Sequence, residues 1–135
     1  MYERDIVISD VTKPGDLYQL KEYLRELYSL FSPRNQTVTF AASITADVDL
    51  AETFFVTLTG NITSITIKNA DTGRKLRFVF LQDGTGSRTV TGWPATVLLS
   101  GAAFTITSTA NVYSTISFEY INSKWIEIGR TTDVR

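Results

Sequence analysis

The chain has 135 residues, a formal net charge of −1 at pH 7, no cysteine and no histidine. Without cysteine there are no disulfides or thiolate metal ligands, and without histidine there is no Ser-His-Asp triad or imidazole ligand. The near-neutral charge argues against a nucleic-acid-binding protein, and no apolar run is long enough to enter a membrane as a spanning helix. The composition therefore favours a binding or structural protein, with no cofactor and no enzymatic activity.

Residues 1–15 are predicted to form an N-terminal arm. Its apolar cluster, Ile6, Val7 and Ile8, has charged flanks, and the Pro14–Gly15 pair marks a turn after it. Because three consecutive aliphatic side chains are unfavourable in water, we expect them to dock on a partner. Packing on the chain's own domain is equally compatible with this segment.

Residues 16–32 are predicted to form an amphipathic helix. Asp16 is a suitable N-cap residue, and Pro33 ends the helix because proline disfavours the helical conformation of the preceding residue. The apolar positions repeat with the alternating three- and four-residue spacing of a coiled-coil seam. The seam consists of Leu17, Leu20, Leu24, Leu27 and Phe31.

Two arrangements of this helix are compatible with its sequence. The seam can pack against the seams of other copies of the chain. Alternatively, the helix can lie on its own β-domain, because Tyr23, Tyr28 and Leu30 widen the apolar stripe. An isolated helix of little more than two heptads is marginal in water, so the helix needs a partner in either case.

From residue 36 to residue 129 the hydrophobic period changes from 3.6 to 2, which predicts β-strands. Short alternating segments are separated by turns about every 8 to 12 residues, with a glycine-first turn at Gly60–Asn61. We therefore predict an antiparallel β-sandwich or barrel, a knob that follows the helix. Residues 130–135 are expected to form a frayed tail.

Two acidic motifs in the β-domain have a functional and a structural interpretation. Asp47 and Asp49 have the spacing of one strand face, where two carboxylates can act in a glycosidase, but a solvated strand face explains them better. The Asp83–Gly86 segment has the glycines of a phosphate-binding loop. Since neither a lysine nor a helix follows those glycines, we interpret it as a turn.

Cationic and aromatic residues are the candidates for contact with an anionic polysaccharide receptor. A hairpin would bring Arg74, Lys75, Arg77 and Arg88 together in a small basic patch. Trp93 and Trp125 have flat rings that can stack on a sugar, although tryptophan in a β-domain is more often a core or interface residue.

The stretch Leu76–Pro94 resembles a β-domain found in bacteriophage fibre and virion-surface proteins. In that domain an apolar strand ending in Gln-Asp-Gly-Thr-Gly-x-Arg-Thr-Val-Thr is followed by Trp-Pro, as it is here. Ser117–Trp125 is similar to the closing hairpin of the same domain, and Val56–Thr63 is similar to its opening strand and turn. Two departures are the extra Gly92 before the tryptophan and a 95–104 loop without a second proline-glycine turn.

The resemblance implies a structural role on the virion, usually as a homotrimer, in a head fibre, a tail fibre or a capsid-decoration protein. It implies that the 1–15 arm docks on a capsid or tail protein, that the helix forms a short trimeric coiled coil, and that the knob faces outward for host attachment. It implies no catalytic residues. The alternative function is that of a monomeric carbohydrate-binding module.

Overall fold

A computed structural model describes residues 14–31 and 34–135 of the chain. The chain divides into two compact units, and the division falls between Pro33 and Arg34. Within the described residues, no helix combines the length and the hydropathy that a membrane span requires.

The first unit contains one helix, α1 (Pro14–Phe31). It begins two residues before Asp16, so the Pro14–Gly15 pair lies in its first turn, which corrects the prediction of a separate turn there. Proline is accommodated in the first turn because the first N–H groups of a helix have no intrahelical acceptor.

The second unit is a β-domain with eight strands in residues 34–135. The strands are β1 (Asn35–Thr37), β2 (Ser43–Asp47), β3 (Thr53–Leu58), β4 (Ser64–Lys68), β5 (Lys75–Gln82), β6 (Val97–Leu98), β7 (Tyr113–Ile121) and β8 (Lys124–Val134). Six of them form one sheet in the order β1-β3-β5-β7-β8-β6, and β2 pairs with β4 in a second sheet. The prediction of a mainly β, sandwich-like domain preceded by one short helix is confirmed.

The strand directions are mixed, which corrects the antiparallel part of the prediction. β1, β3 and β5 are parallel neighbours, and β2 is parallel to β4. β7 is antiparallel to β5 and to β8, whereas β6 is parallel to β8. The Gly60–Asn61 turn does not close a hairpin, because it leads from β3 in the larger sheet to β4 in the smaller one. A period of 2 shows which side chains share a face, and it is the same for both strand directions.

The core lies between the two sheets. Because the chain alternates between them, β1 to β5 form stacked turns of chain in which like side chains become neighbours, such as Phe54 beside Phe78 and Ile44 beside Ile65. The buried apolar side chains come from both sheets and include Ile44, Ile65, Phe54, Val56, Leu58, Phe78, Phe80, Ile116, Phe118 and Trp125.

The last strand is longer than the sequence indicated. β8 continues to Val134, with Thr131 opposite Thr115 and Val134 opposite Tyr113, which corrects the prediction of a frayed tail at 130–135. Residues 129–133 lack apolar alternation, but strand pairing uses backbone groups that every non-proline residue has.

Candidate functional site

The predicted oligomerisation seam lies on one side of α1. Leu17 and Leu24 are 43% and 54% exposed, and Leu20 and Leu27 are partly exposed. Phe31 is the last residue of α1 and continues the same spacing. Since residues three and four apart are neighbours on a helix, these positions form one stripe. The leucines of this stripe retain apolar surface that a partner can cover.

The ion pair between Arg25 and Glu22 on α1 contributes little stability. Arg25 and Glu22 form an ion pair of 3.0 Å, and the side chain of Arg25 is 75% exposed. Exposed helix pairs of this spacing are worth only about 0.3–0.5 kcal/mol. Burial of the apolar seam can therefore stabilise this helix more than that ion pair does.

The predicted docking residues Ile6, Val7 and Ile8 lie outside the described residues. Docking of the N-terminal arm stays a prediction.

The basic patch predicted for the β-domain is not formed, because its members lie at opposite ends of β5. Arg74 and Lys75 are at the start of that strand, whereas Arg88 follows its last residue, Gln82. A strand of this length spans roughly 23 Å at about 3.3 Å per residue. After Gln82 the chain passes to the smaller sheet, where Val90 bridges to the residues before β4, and does not fold back beside β5.

Both arginines are paired with carboxylates. Arg74 lies 3.0 Å from Asp49 and donates to the carbonyl oxygen of Val48 at 2.7 Å. Arg88 lies 3.0 Å from Asp83. These contacts place a negative charge beside each guanidinium group, so neither arginine presents a free cation to a polysaccharide.

The carboxylates Asp47 and Asp49 stabilise the turn after β2. Asp47 Oδ1 accepts hydrogen bonds from Asn69 Nδ2 at 2.7 Å and from the backbone N–H of Asp49 at 3.0 Å. These bonds, first that of Asn69, lower the pKa of Asp47. A general acid needs a raised pKa, so the environment of Asp47 favours a structural role.

The Asp83–Gly86 segment is a turn, as predicted. Asp83 Oδ1 accepts the backbone N–H groups of Thr85 at 3.1 Å and of Gly86 at 3.0 Å. The hydrogen bond from Arg88 is the main reason that the pKa of Asp83 is lowered, and the two amides add to it. Because the carboxylate already occupies these amides, they do not form a cradle for phosphate.

A groove of about 410 Å³ adjoins this turn, between residues 87–93 and residues 99–108. Apolar side chains line it, among them Val90, Trp93 and Phe104, together with the hydroxyl groups of serines and threonines. Of the predicted receptor-contact residues, the groove contains Arg88 and Trp93, whereas Arg74 and Lys75 lie at the other end of β5 and Trp125 is buried in the core.

Trp93 is held by other aromatic rings. Its ring centroid lies 5.5 Å from those of Phe78 and Phe118 and 6.2 Å from that of Phe104, in tilted or edge-to-face contacts. Its Nε1 is buried and has no hydrogen-bond partner among the described residues. Trp93 is thus a packing residue with one side on the groove. The packing agrees with the structural interpretation of this tryptophan, and stacking of its ring on a sugar stays a prediction.

An ion pair between Glu127 and Arg130, which the sequence did not predict, fixes residues 99–104 on one side of the groove. The Glu127 side chain is 2% exposed, pairs with Arg130, and accepts the N–H of Ser100 at 2.7 Å. Arg130 also donates to the carbonyl oxygen of Ala103 at 3.1 Å. Residues three apart face opposite sides of a regular strand, but a register shift in β8 brings this pair to one side. Nothing in the sequence pattern indicates that shift.

Acid is expected to weaken the attachment of the 99–104 loop to Glu127 and Arg130 on β8. The Arg130 guanidinium, followed by the Ser100 N–H, holds the pKa of Glu127 below its ordinary value of 4.5. Its contribution to the free energy of unfolding is therefore complete above that ordinary value and is lost as the pH falls through the lower folded-state pKa. We expect Glu127→Gln to cost about 2 kcal/mol at pH 7 and less at pH 3, as measured by urea unfolding.

The control for this prediction is Glu119→Gln, on the outward side of β7. Asp47 and Asp83 also make the wild type less stable in acid, so the informative quantity is the difference between each variant and the wild type. A Glu127→Gln difference that stays constant from pH 7 to pH 3 contradicts the prediction.

The first unit is thus a short helix with an exposed apolar seam. The second unit is a β-domain whose core lies between two sheets of mixed strand direction. No protein-family model and no curated protein matches the chain. Among the residues that the structure describes, no three histidine, cysteine, aspartate or glutamate side chains cluster as metal ligands would.

Proposed function

We propose that the chain is a structural protein of a bacteriophage virion, a homotrimeric protrusion of the head, the tail or the capsid surface. The N-terminal arm docks on the virion, α1 joins three copies, and the β-domain faces outward for host attachment. The exposed leucine seam of α1 is the observation that carries the proposed self-association. The resemblance of residues 76–94 to phage fibre domains supports the assignment to a virion.

Self-association satisfies the physical requirement of α1 for a partner. Burial of a leucine side chain stabilises by about 1.5–3 kcal/mol, and Leu17 and Leu24 each retain about half of their surface for this purpose. A coiled coil of identical copies buries such a stripe on every helix at once. The seam thereby contributes part of the stability that an isolated helix of this length lacks.

The construction of the β-domain is consistent with an exposed attachment module. The loop at 99–104 is fixed by Glu127 and Arg130, and the turn after β5 is closed by Asp83 and Arg88. A trimer would present three such rigid surfaces, so weak contacts with a host polysaccharide would be multiplied by avidity.

A monomeric carbohydrate-binding module is the alternative, and one observation favours it. The groove beside Trp93 joins an aromatic ring, an arginine and several hydroxyl groups in one concave surface. However, Asp83 neutralises that arginine, and the tryptophan is packed between other rings. The trimeric virion protein therefore remains the preferred proposal.

The oligomeric state in solution tests the role of the seam. By sedimentation velocity, the wild type is expected to be a trimer at micromolar concentration, and Leu20→Asp is expected to be a monomer because three buried carboxylates would meet on the trimer axis. The matched control Gln19→Asp places the same charge outside the seam and should remain a trimer. A monomeric wild type would contradict the proposal, and one that binds soluble polysaccharide would favour the alternative.

Virion attachment has its own test. Virions that lack the protein are expected to bind the wild type and not a variant without residues 1–13, whereas both proteins should be trimers. Equal binding of the two proteins would contradict the role of the arm.

A further inference from the structure

The larger sheet has an outward side that faces away from the core. On β3, β5 and β7, cross-strand neighbours on this side form two rows without a charged residue. One row contains Thr57, Leu81, Tyr113 and, on β8, Val134, and the other contains Phe55, Val79, Thr115 and, on β8, Thr131.

The apolar members of these rows retain accessible surface. Tyr113 and Val134 are each 39% exposed, and Phe55, Val79 and Leu81 are partly exposed. The Phe55 ring centroid lies 6.4 Å from that of Tyr113. β3 and β5 therefore carry apolar side chains on both sides, a pattern typical of strands that are covered on both faces.

Charged residues on this side of β3, β5 and β7 are confined to one end. They are Lys75, Arg77 and Glu119, at and beside the start of β5. Away from that end the two rows themselves offer only apolar groups and hydroxyls, and beside Val134 the exposed Asp133 and Arg135 form an ion pair of 3.1 Å. Two copies of such a surface can approach each other without repulsion between like charges.

We propose that this surface, the outer patch of Phe55, Val79, Leu81, Tyr113 and Thr115, is a second contact between copies of the chain. The inference rests on the proposed self-association through α1. A seam of little more than two heptads is shorter than a stable coiled coil requires, so the copies need further buried area. Specific interfaces bury about 800 Å² per partner, and the outer patch adds to what the helix supplies.

The connection between the two units favours a second copy as the occupant. Only residues 32–34 separate α1 from β1, the edge strand of the sheet that carries the outer patch. Association of the helices therefore raises the effective concentration of one β-domain near another, and a patch too weak to act alone can then contribute.

Thiol reactivity tests this proposal in the full-length protein. The chain has no cysteine, so a single introduced thiol reports on one position. Thr115→Cys lies within the outer patch, next to Val79, and the control Thr66→Cys is exposed on β4 in the smaller sheet. In the trimer, the thiol at 115 is expected to react at least tenfold more slowly than in the same variant that also carries Leu20→Asp, and the thiol at 66 should react equally in both.

A second pair of variants measures affinity. Val79→Lys is expected to raise the concentration at which the trimer dissociates at least tenfold, whereas Thr66→Lys should leave it unchanged. Circular dichroism and thermal unfolding of the monomeric Leu20→Asp background check that Val79→Lys still folds.

The outcomes separate this proposal from the proposed function. A trimeric wild type in which Leu20→Asp does not change the reactivity at 115 overturns the outer patch and leaves the trimer standing. A monomeric wild type in which Leu20→Asp increases that reactivity shows that α1 of the same chain covers the patch, which overturns the contact between copies. A monomer with a rapidly reacting thiol overturns both.

Discussion

Gly92→Ala is expected to lower the free energy of unfolding of the β-domain by about 4 kcal/mol. Gly92 has a φ of +77°, and a Cβ at this position would lie 1.9 Å from the carbonyl oxygen of Thr63. The two segments cannot separate without cost, because the Gly92 carbonyl oxygen accepts the N–H of Ile65 at 3.0 Å. Urea unfolding monitored by tryptophan fluorescence measures the loss, which is a large part of the about 5–15 kcal/mol typical of a domain.

Substitution of two other glycines distinguishes backbone strain at a positive φ from the steric clash with Thr63. Gly73 has a φ of +86° but open space around it in the described structure, so Gly73→Ala should cost about 1 kcal/mol from backbone strain alone. Gly84 has neither a positive φ nor a close neighbour, and Gly84→Ala should change stability by less than about 0.5 kcal/mol. If Gly92→Ala costs no more than Gly73→Ala, the close approach to Thr63 is not the cause.

The second large effect is expected at Gln82, where Gln82→Leu should cost about 3 kcal/mol. The residue is 1% exposed. Its Nε2 donates to the carbonyl oxygens of Arg88 at 2.8 Å and Thr107 at 2.7 Å, and its Oε1 accepts the Arg88 N–H at 3.0 Å. Leucine conserves most of the volume but leaves these three backbone groups without their partner. The same unfolding assay applies.

Gln82→Glu tests whether hydrogen bonding is the cause. It keeps the size and one acceptor oxygen but removes both donors, and burial raises the pKa of the new carboxyl. A raised folded-state pKa means that this variant should become more stable, relative to the wild type, as the pH falls, because the protonated acid regains one donor. Thr66→Leu controls for the addition of an apolar side chain. A Gln82→Glu difference that does not change with pH contradicts this account.

Both positions lie in Leu76–Pro94, and each has a role in the folding of that segment. Gln82 connects the end of β5 to two other segments, Asp83 closes the following turn, and Gly92 allows a close backbone approach. Gly92 is a position where the geometry tolerates no side chain. The motif therefore describes how the domain folds and does not by itself specify a ligand.

Burial was predictable from the sequence because it depends on local periodicity. The alternation within each strand places Phe54 with Val56 on one face of β3 and Phe78 with Phe80 on one face of β5, and all four are in the core. The spacing of the leucines likewise identified α1, although its first residue is Pro14. Such patterns act over a few residues and do not depend on which strands become neighbours.

Strand direction and strand pairing could not be predicted from periodicity, because a period of 2 is the same in parallel and antiparallel sheets. The positions of the candidate site residues depend on both. Arg74 precedes β5 and Arg88 follows its end, so the length of β5 separates the two arginines, and the crossover to the smaller sheet then carries Arg88 away from that strand. The Glu127–Arg130 pair likewise depends on a register shift that only the pairing of β7 with β8 defines.

The stacked turns of chain have a consequence for the length of this domain. Register partners in successive turns are 18, 21 and 24 residues apart, as for Asn35 and Thr53, Ser43 and Ser64, and Thr53 and Arg77. β1 and β2 begin the stack, and each has a strand neighbour on one side only. A duplicated segment of about 20 residues inserted before β1 would add one layer of about 4.8 Å without altering the layers beneath it. Such an architecture can change in height by whole layers while its closing strands, β7 and β8, keep their sequence.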